Sequence, residues 1–210
     1  MIAISIALTV GDTFKNFSET GFITYFSFYQ LLLIAGLARE TFIMRKGGTK
    51  VNAWKMPYAI WLIMALAFLF MSMDEIFVIH EHADYFIHDI FKIRETALTD
   101  RIDDILVGCY GLIGLGGLYI YREELKKCRE AFPLFITGFI VMFVMVCLDI
   151  FTNRDDILRL FISDATTVYH VFYWLNIIED ILKIITGGIF AGAFYHCYKI
   201  TQSSRQIKEG

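Results

Sequence analysis

Much is missing from this chain, and each absence closes off a class of function. Its four cysteines, Cys109, Cys128, Cys147 and Cys197, are scattered and form no C-x-x-C pair. That pattern argues against a disulfide frame or a zinc site and leaves small apolar fillers or free thiols. Basic charge is not in excess: Lys and Arg number 19 against 22 Asp and Glu, so the balance carries no footprint for nucleic acid. No internal repeat or low-complexity tract occurs, and the short alternation of barrel strands is absent. No Glu-x-x-His pair supplies the ligands of a di-iron bundle. The string His80-Glu81-His82-Ala83-Asp84 approaches the H-E-x-x-H zinc motif, but Asp84 stands where the second histidine belongs.

What the chain does have is apolar surface. Of its 210 residues 57% are hydrophobic, only 20% are charged, and 20 are Phe. A soluble domain of this size has no use for so much, so the class is integral membrane protein with the bilayer as partner. The expectation is an all-α, single-domain bundle over residues 1–210, with spans at about 21–42, 57–82, 102–121, 132–151 and 168–198. The glycines of Gly111–Gly117, with Gly187, Gly188 and Gly192, predict close helix packing. The first ten residues are apolar but too short to span, and no cleavage site follows, so no cleaved signal peptide is expected. An amphipathic stretch, Arg154–Ile162, is expected on the outer membrane surface.

Orientation follows from the cations of the short loops. Arg39, Arg45, Lys46, Lys50 and Lys55 follow span one, while Arg122, Lys126, Lys127 and Arg129 follow span three. Lys199, Arg205 and Lys208 lie in the tail. The second and fourth loops are richer in acids, among them Asp89, Glu95, Asp100, Asp155, Asp156 and Asp164. The N-terminus is therefore expected outside and the C-terminus inside.

The most informative stretch is 71–89, MSMDEIFVIHEHADYFIHD. Its helical pattern reads as the unbroken outer end of span two, and it carries Asp74, Glu75, His80, Glu81, His82, Asp84, His88 and Asp89. With this topology Asp103 and Asp104, Asp149, His170, Asn176, Glu179, Asp180 and Lys183 also fall in the outer half of the membrane. The inner halves hold few such groups, chiefly His196. Ionisable side chains at membrane depth are costly and mark functional sites. One shared site is expected, with Asp74, Glu75, His80, Glu81, Glu179 and Asp180 as its core. His82, Asp84, Asp103, Asp104, Asp149, His170 and Lys183 would support it, while His88 and Asp89 read as an exposed polar helix end.

Residues seven apart share a helix face but stand about 10 Å apart in rise, too far to hold one ion. His80 with Asp84, or Asp84 with His88, are four apart and within chelating reach. The site is expected to bind a divalent transition metal or to handle protons. Haem, held by His80 or His82 with His170, is the weaker alternative. Lys183 complicates a metal, because it lies four residues after Glu179 and three after Asp180 and can pair with either. The rival reading is a non-catalytic subunit of a larger membrane complex or homo-oligomer, its acids paired internally. A self-contained transporter is less expected of five spans without a repeat.

Three elements carry a resemblance: Ser18-Glu19-Thr20 before Thr24-Tyr25-Phe26-Ser27, Ser72-Met73-Asp74-Glu75 before His80-Glu81, and Glu179-Asp180-Ile181-Leu182-Lys183 before Gly187. In these the chain resembles a family of uncharacterised bacterial polytopic membrane proteins. The resemblance implies a prokaryotic plasma-membrane bundle with its site at the D-E/H-E element, and it implies no reaction. At Asp180 and Lys183 the chain departs from the family pattern, which tends to carry an acid at the position of Lys183.

Overall fold

The computed structural model describes residues 2–9, 16–17, 21–47, 56–92, 96, 99, 102–152 and 156–209. Long apolar runs that must satisfy every backbone amide internally form helices. Among the described residues all regular structure is helical. In chain order these are α1 (Ile2–Thr9), α2 (Phe22–Lys46), α3 (Ala59–Phe77), α4 (Ile79–Phe91), α5 (Ile102–Ile120) and the short α6 (Arg122–Leu125). A 3-10 turn, Lys126–Ala131, leads into α7 (Phe132–Thr152); α8 (Asp156–Arg159) and the long α9 (Ala165–Glu209) follow. Pro57 lies just ahead of α3 and Pro133 in the first turn of α7, where a missing N–H costs nothing.

Among the described residues three stretches are long and apolar enough to cross a membrane: α2, α3 and the run Arg122–Ile150 through α7. A shorter apolar stretch, Gly108–Ile120, lies in α5. The outer face of α5 shows Leu112, Ile113, Tyr119 and Ile120 exposed, and Ile136 and Phe143 of α7 do the same. Large apolar side chains in such contiguous exposure mark a surface built for hydrocarbon.

The long helix α9 packs on both α7 and α2, and α2 packs on α3. Their core is aromatic. Phe194 of α9 meets Trp61, Phe68 and Phe135 edge-on at centroid distances of 6.1, 5.3 and 5.4 Å, and Phe190 meets Phe139 at 5.1 Å. Such tilted ring pairs each add about 0.5–1.5 kcal/mol beyond their burial. Small residues let the backbones approach. A Cβ at Gly187 would lie 2.6 Å from Gln30 Oε1, and Gln30 Nε2 donates to the Ile184 carbonyl at 3.2 Å, so a larger residue at Gly187 would have to displace the Gln30 amide that bridges α2 and α9. The apolar N-terminal residues form α1, whose Ile4 and Ala7 pack with Ile23 of α2 and Ile184 of α9.

The expected unbroken span over 57–82 is corrected. The chain breaks at Val78, which is left-handed (φ 51°, ψ 46°) and donates its N–H to the Asp74 carbonyl at 2.7 Å. His80, Glu81 and His82 therefore belong to a separate helix, not to the outer turns of α3. Lys50, Lys55, Glu95, Asp100, Arg154 and Asp155, and Ser18–Glu19–Thr20 of the resemblance, lie outside the described residues.

Candidate functional site

The corner at Val78 is organised by Asp74. Its carbonyl closes the end of α3, and its buried carboxylate caps the start of α4. Asp74 Oδ1 accepts the backbone N–H of His80, the second residue of α4, at 2.8 Å. The ring Nδ1 of His80 lies 3.1 Å from the same oxygen. A carboxylate beside free amides at a helix N-terminus is favoured by the helix dipole. The break thus carries Asp74 and His80 into contact although they are six residues apart.

One residue further, Glu75 reaches across the bundle. Lys183 Nζ donates to Glu75 Oε1 at 3.2 Å and pairs with Asp180 Oδ1 at 3.3 Å one turn back on α9. Glu75 and Asp180 side chains are 15% and 16% exposed and that of Lys183 29%, so the triad is part-buried. Glu179 is near enough for its charge to act on Lys183 as well. Helices α3 and α9 therefore meet through an ammonium: Lys183 pairs with Asp180, one of its two expected partners, and also with Glu75. Among the described residues no three His, Cys, Asp or Glu side chains gather closely enough to hold a metal ion.

The other expected site residues scatter around this centre. Glu81 is half-buried. His82 is exposed, with Nδ1 2.8 Å from the Val78 carbonyl. Asp149 is half-buried near the end of α7. His170 is exposed in the second turn of α9, against the ring of Tyr169 at 5.7 Å. The side chains of Asp103 and Asp104 lie outside the described residues.

Two polar groups escaped the sequence reading. His88, expected on an exposed helix end, is buried at 7% exposure and pairs with the buried Asp84. Glu124, which reads as one charge among several in a loop, has its side chain 1% exposed at the opposite end of the bundle. Arg45 Nε lies 3.3 Å from Glu124 Oε1, Trp61 Nε1 donates to that oxygen at 3.4 Å, and Lys127 binds Oε2. Arg45 also donates to Cys128 Sγ at 3.8 Å. A second buried acid therefore lies outside the cluster around Lys183, in the turn after α5. No sequence signal separates Glu124 from Glu123 beside it, which is paired with Lys126 in the open. Only the packing of α2 and α3 over the α6 turn makes the difference.

The family model described as a domain of unknown function (DUF8692) matches residues 2–197, and the chain belongs to that family. No curated protein and no solved structure matches it.

Proposed function

We propose that this is a multi-pass membrane protein that handles protons at a buried station of Asp74, Glu75, His80, Glu179, Asp180 and Lys183. One observation carries the reading: among the described residues Lys183 joins Glu75 to Asp180 across the bundle, so that two part-buried carboxyls share one ammonium. Even a charged His80 on Asp74 leaves an excess of acid. In a medium of low dielectric that excess is relieved by taking up protons, because like charges in one site cannot all ionise. The station then holds at least one exchangeable proton between groups with different affinities for it.

The reading includes five spans, formed by α2, α3, α5, α7 and the 168–198 part of α9. The N-terminus is outside, the C-terminus is inside, and the membrane is a prokaryotic plasma membrane. The cations that follow α2 and α5 support that orientation. A divalent metal at the same residues has less behind it, since an ammonium already sits against two of the carboxylates. Haem has less still: His80 is engaged by Asp74, and His170 lies on the exposed surface.

The test is proton uptake by proteoliposomes carrying an internal pH dye, under an imposed potassium diffusion potential. Uptake by the parent protein and its loss in Glu75→Gln are expected. Parent vesicles as proton-tight as empty ones overturn the reading.

The internal pairing of Lys183 favours one alternative, a non-catalytic subunit whose acids serve only to lock α3 to α9. Proton-tight vesicles, together with a partner membrane chain that co-purifies in fixed ratio, select that alternative.

A further inference from the structure

Helix α4 presents three sectors. His80, Asp84 and His88, each four residues from the next, form the line turned toward the bundle. Phe86 and Ile90 stand exposed on the apolar side, 65% and 54% accessible. His82 and Asp89 stand exposed on the polar side. A helix with these sectors lies at the boundary of protein, hydrocarbon and water. The same face carries the part-buried His80, beside Asp74, at one end of the helix and the buried Asp84–His88 pair toward the other.

His88 is the unexpected member. Its Nδ1 lies 3.0 Å from the Asp84 carbonyl and 3.1 Å from Asp84 Oδ1. A carbonyl oxygen can only accept, so Nδ1 must carry the hydrogen. In the neutral ring the lone pair then falls on Nε2. That nitrogen is buried and has no hydrogen-bond partner among the described residues, although buried polar atoms nearly always have one. An Asp behind one imidazole nitrogen and an open lone pair on the other is the arrangement of a positioned base.

We propose that His88, oriented by Asp84, is the proton-exchange group at the outer end of α4, passing protons between the aqueous boundary and the station through the His80–Asp84–His88 line. In each transfer the Nε2 lone pair takes a proton from water, the ring becomes imidazolium, and the Asp84 carboxylate 3.1 Å from Nδ1 balances the charge. Loss of the Nδ1 proton toward Asp84 leaves a neutral Nε2–H ring, and turning of the ring about its Cβ–Cγ bond, with exchange of that proton, returns the Nδ1–H form. Other titratable groups on the helices packed against α4 are Asp74 and Glu75 of α3 and Asp103, Asp104, Cys109, Tyr110 and Tyr119 of α5, the side chains of Asp103 and Asp104 lying outside the described residues. Asp89 and Lys92 pair with each other at 3.0 Å on the open side. The direction of transfer rests on the proposed proton-handling function, whereas the identity of His88 as an acceptor rests on its own geometry.

Two measurements test it on the full chain. The first is nitrogen NMR of the imidazoles in lipid nanodiscs, with the signal of His88 identified among the five histidines by its loss in His88→Gln. An Nδ1–H ring with a bare Nε2 is expected, and an Nε2–H ring overturns the proposal. The second is the proteoliposome uptake above. His88→Gln should slow uptake by about tenfold or more, the loss of one positioned acid–base group. Asp84→Asn, which keeps an acceptor oxygen and removes the charge, should slow it less, and it carries the comparison if His88→Gln fails to fold. Uptake that stops in Glu75→Gln but is unchanged in both α4 variants overturns the role of His88 and leaves the station standing. If the parent itself takes up no protons, the station reading fails. The NMR result alone then decides: a bare Nε2 keeps His88 as an acceptor, and a protonated one removes it.

Discussion

Lys183 is the residue on which the charged cluster turns. It is a cation deep in an apolar helix, and it is held there by two carboxylates from different helices. Breaking a buried pair by removing one partner typically costs roughly 3–5 kcal/mol, because the other charge is left in low dielectric. Lys183→Met should therefore lower the melting temperature of the detergent-purified protein markedly at neutral pH. The loss should shrink in mild acid, where the abandoned carboxyls take up protons and become neutral. A variant as stable as the parent at neutral pH would mean that the triad is open to water. At this scale the sequence was informative where charge stands inside apolar runs, as at Asp74, Glu75, Glu179, Asp180 and Lys183. It was uninformative where a polar residue sits among other polar residues. His88 and Glu124 look no different from their exposed neighbours Asp89 and Glu123 until the packing is known.

Among the elements, the helices themselves were legible from hydropathy, and their corner was not. The stretch 71–89 contains neither Gly nor Pro, so nothing in it announces a break. The break occurs at a β-branched residue, Val78, in a left-handed conformation. For an L-residue that conformation costs about 1–2 kcal/mol. It is held by a capping contact across the corner, the Asp74 carboxylate on the His80 amide and ring, which helical propensity does not reveal. Val78→Gly removes the Cβ clash but adds the backbone entropy of glycine, about 0.5–1 kcal/mol. The variant should therefore melt at or slightly above the parent, by up to about 1 kcal/mol. In an unstrained helix the same change would lower stability, and a clear drop in the unfolding midpoint would contradict the corner. The strain lies beside Asp74 and Glu75, the kind of place where strained backbone tends to be kept.

For the whole molecule, an aromatic core around Phe194 fastens one part of the bundle, and the Glu75–Lys183–Asp180 triad ties α3 to α9 elsewhere. That a membrane protein would result was legible in composition alone. The number of spans was less so, because Glu179, Asp180 and Lys183 interrupt the apolar run of α9 and the hydropathy of α5 is concentrated in Gly108–Ile120. Topology is open to a direct check with single cysteines and a membrane-impermeant maleimide. Labels at Lys46 and Lys126 should react only from the cytoplasmic side, and labels at Thr96 and Asp156 only from the other. Thr96 reacting from the cytoplasm would invert the bundle and move the station to the inner leaflet.

The central claim is that the station holds a proton at neutral pH because its carboxyls outnumber its cations. Infrared absorption of the protein in lipid at neutral pH reads this directly through the carbonyl stretch of a protonated carboxylic acid. The account predicts that stretch in the parent, shifted by exchange into heavy water and altered or lost in Glu75→Gln and Asp180→Asn. A parent spectrum at neutral pH showing only ionised carboxylate would contradict it.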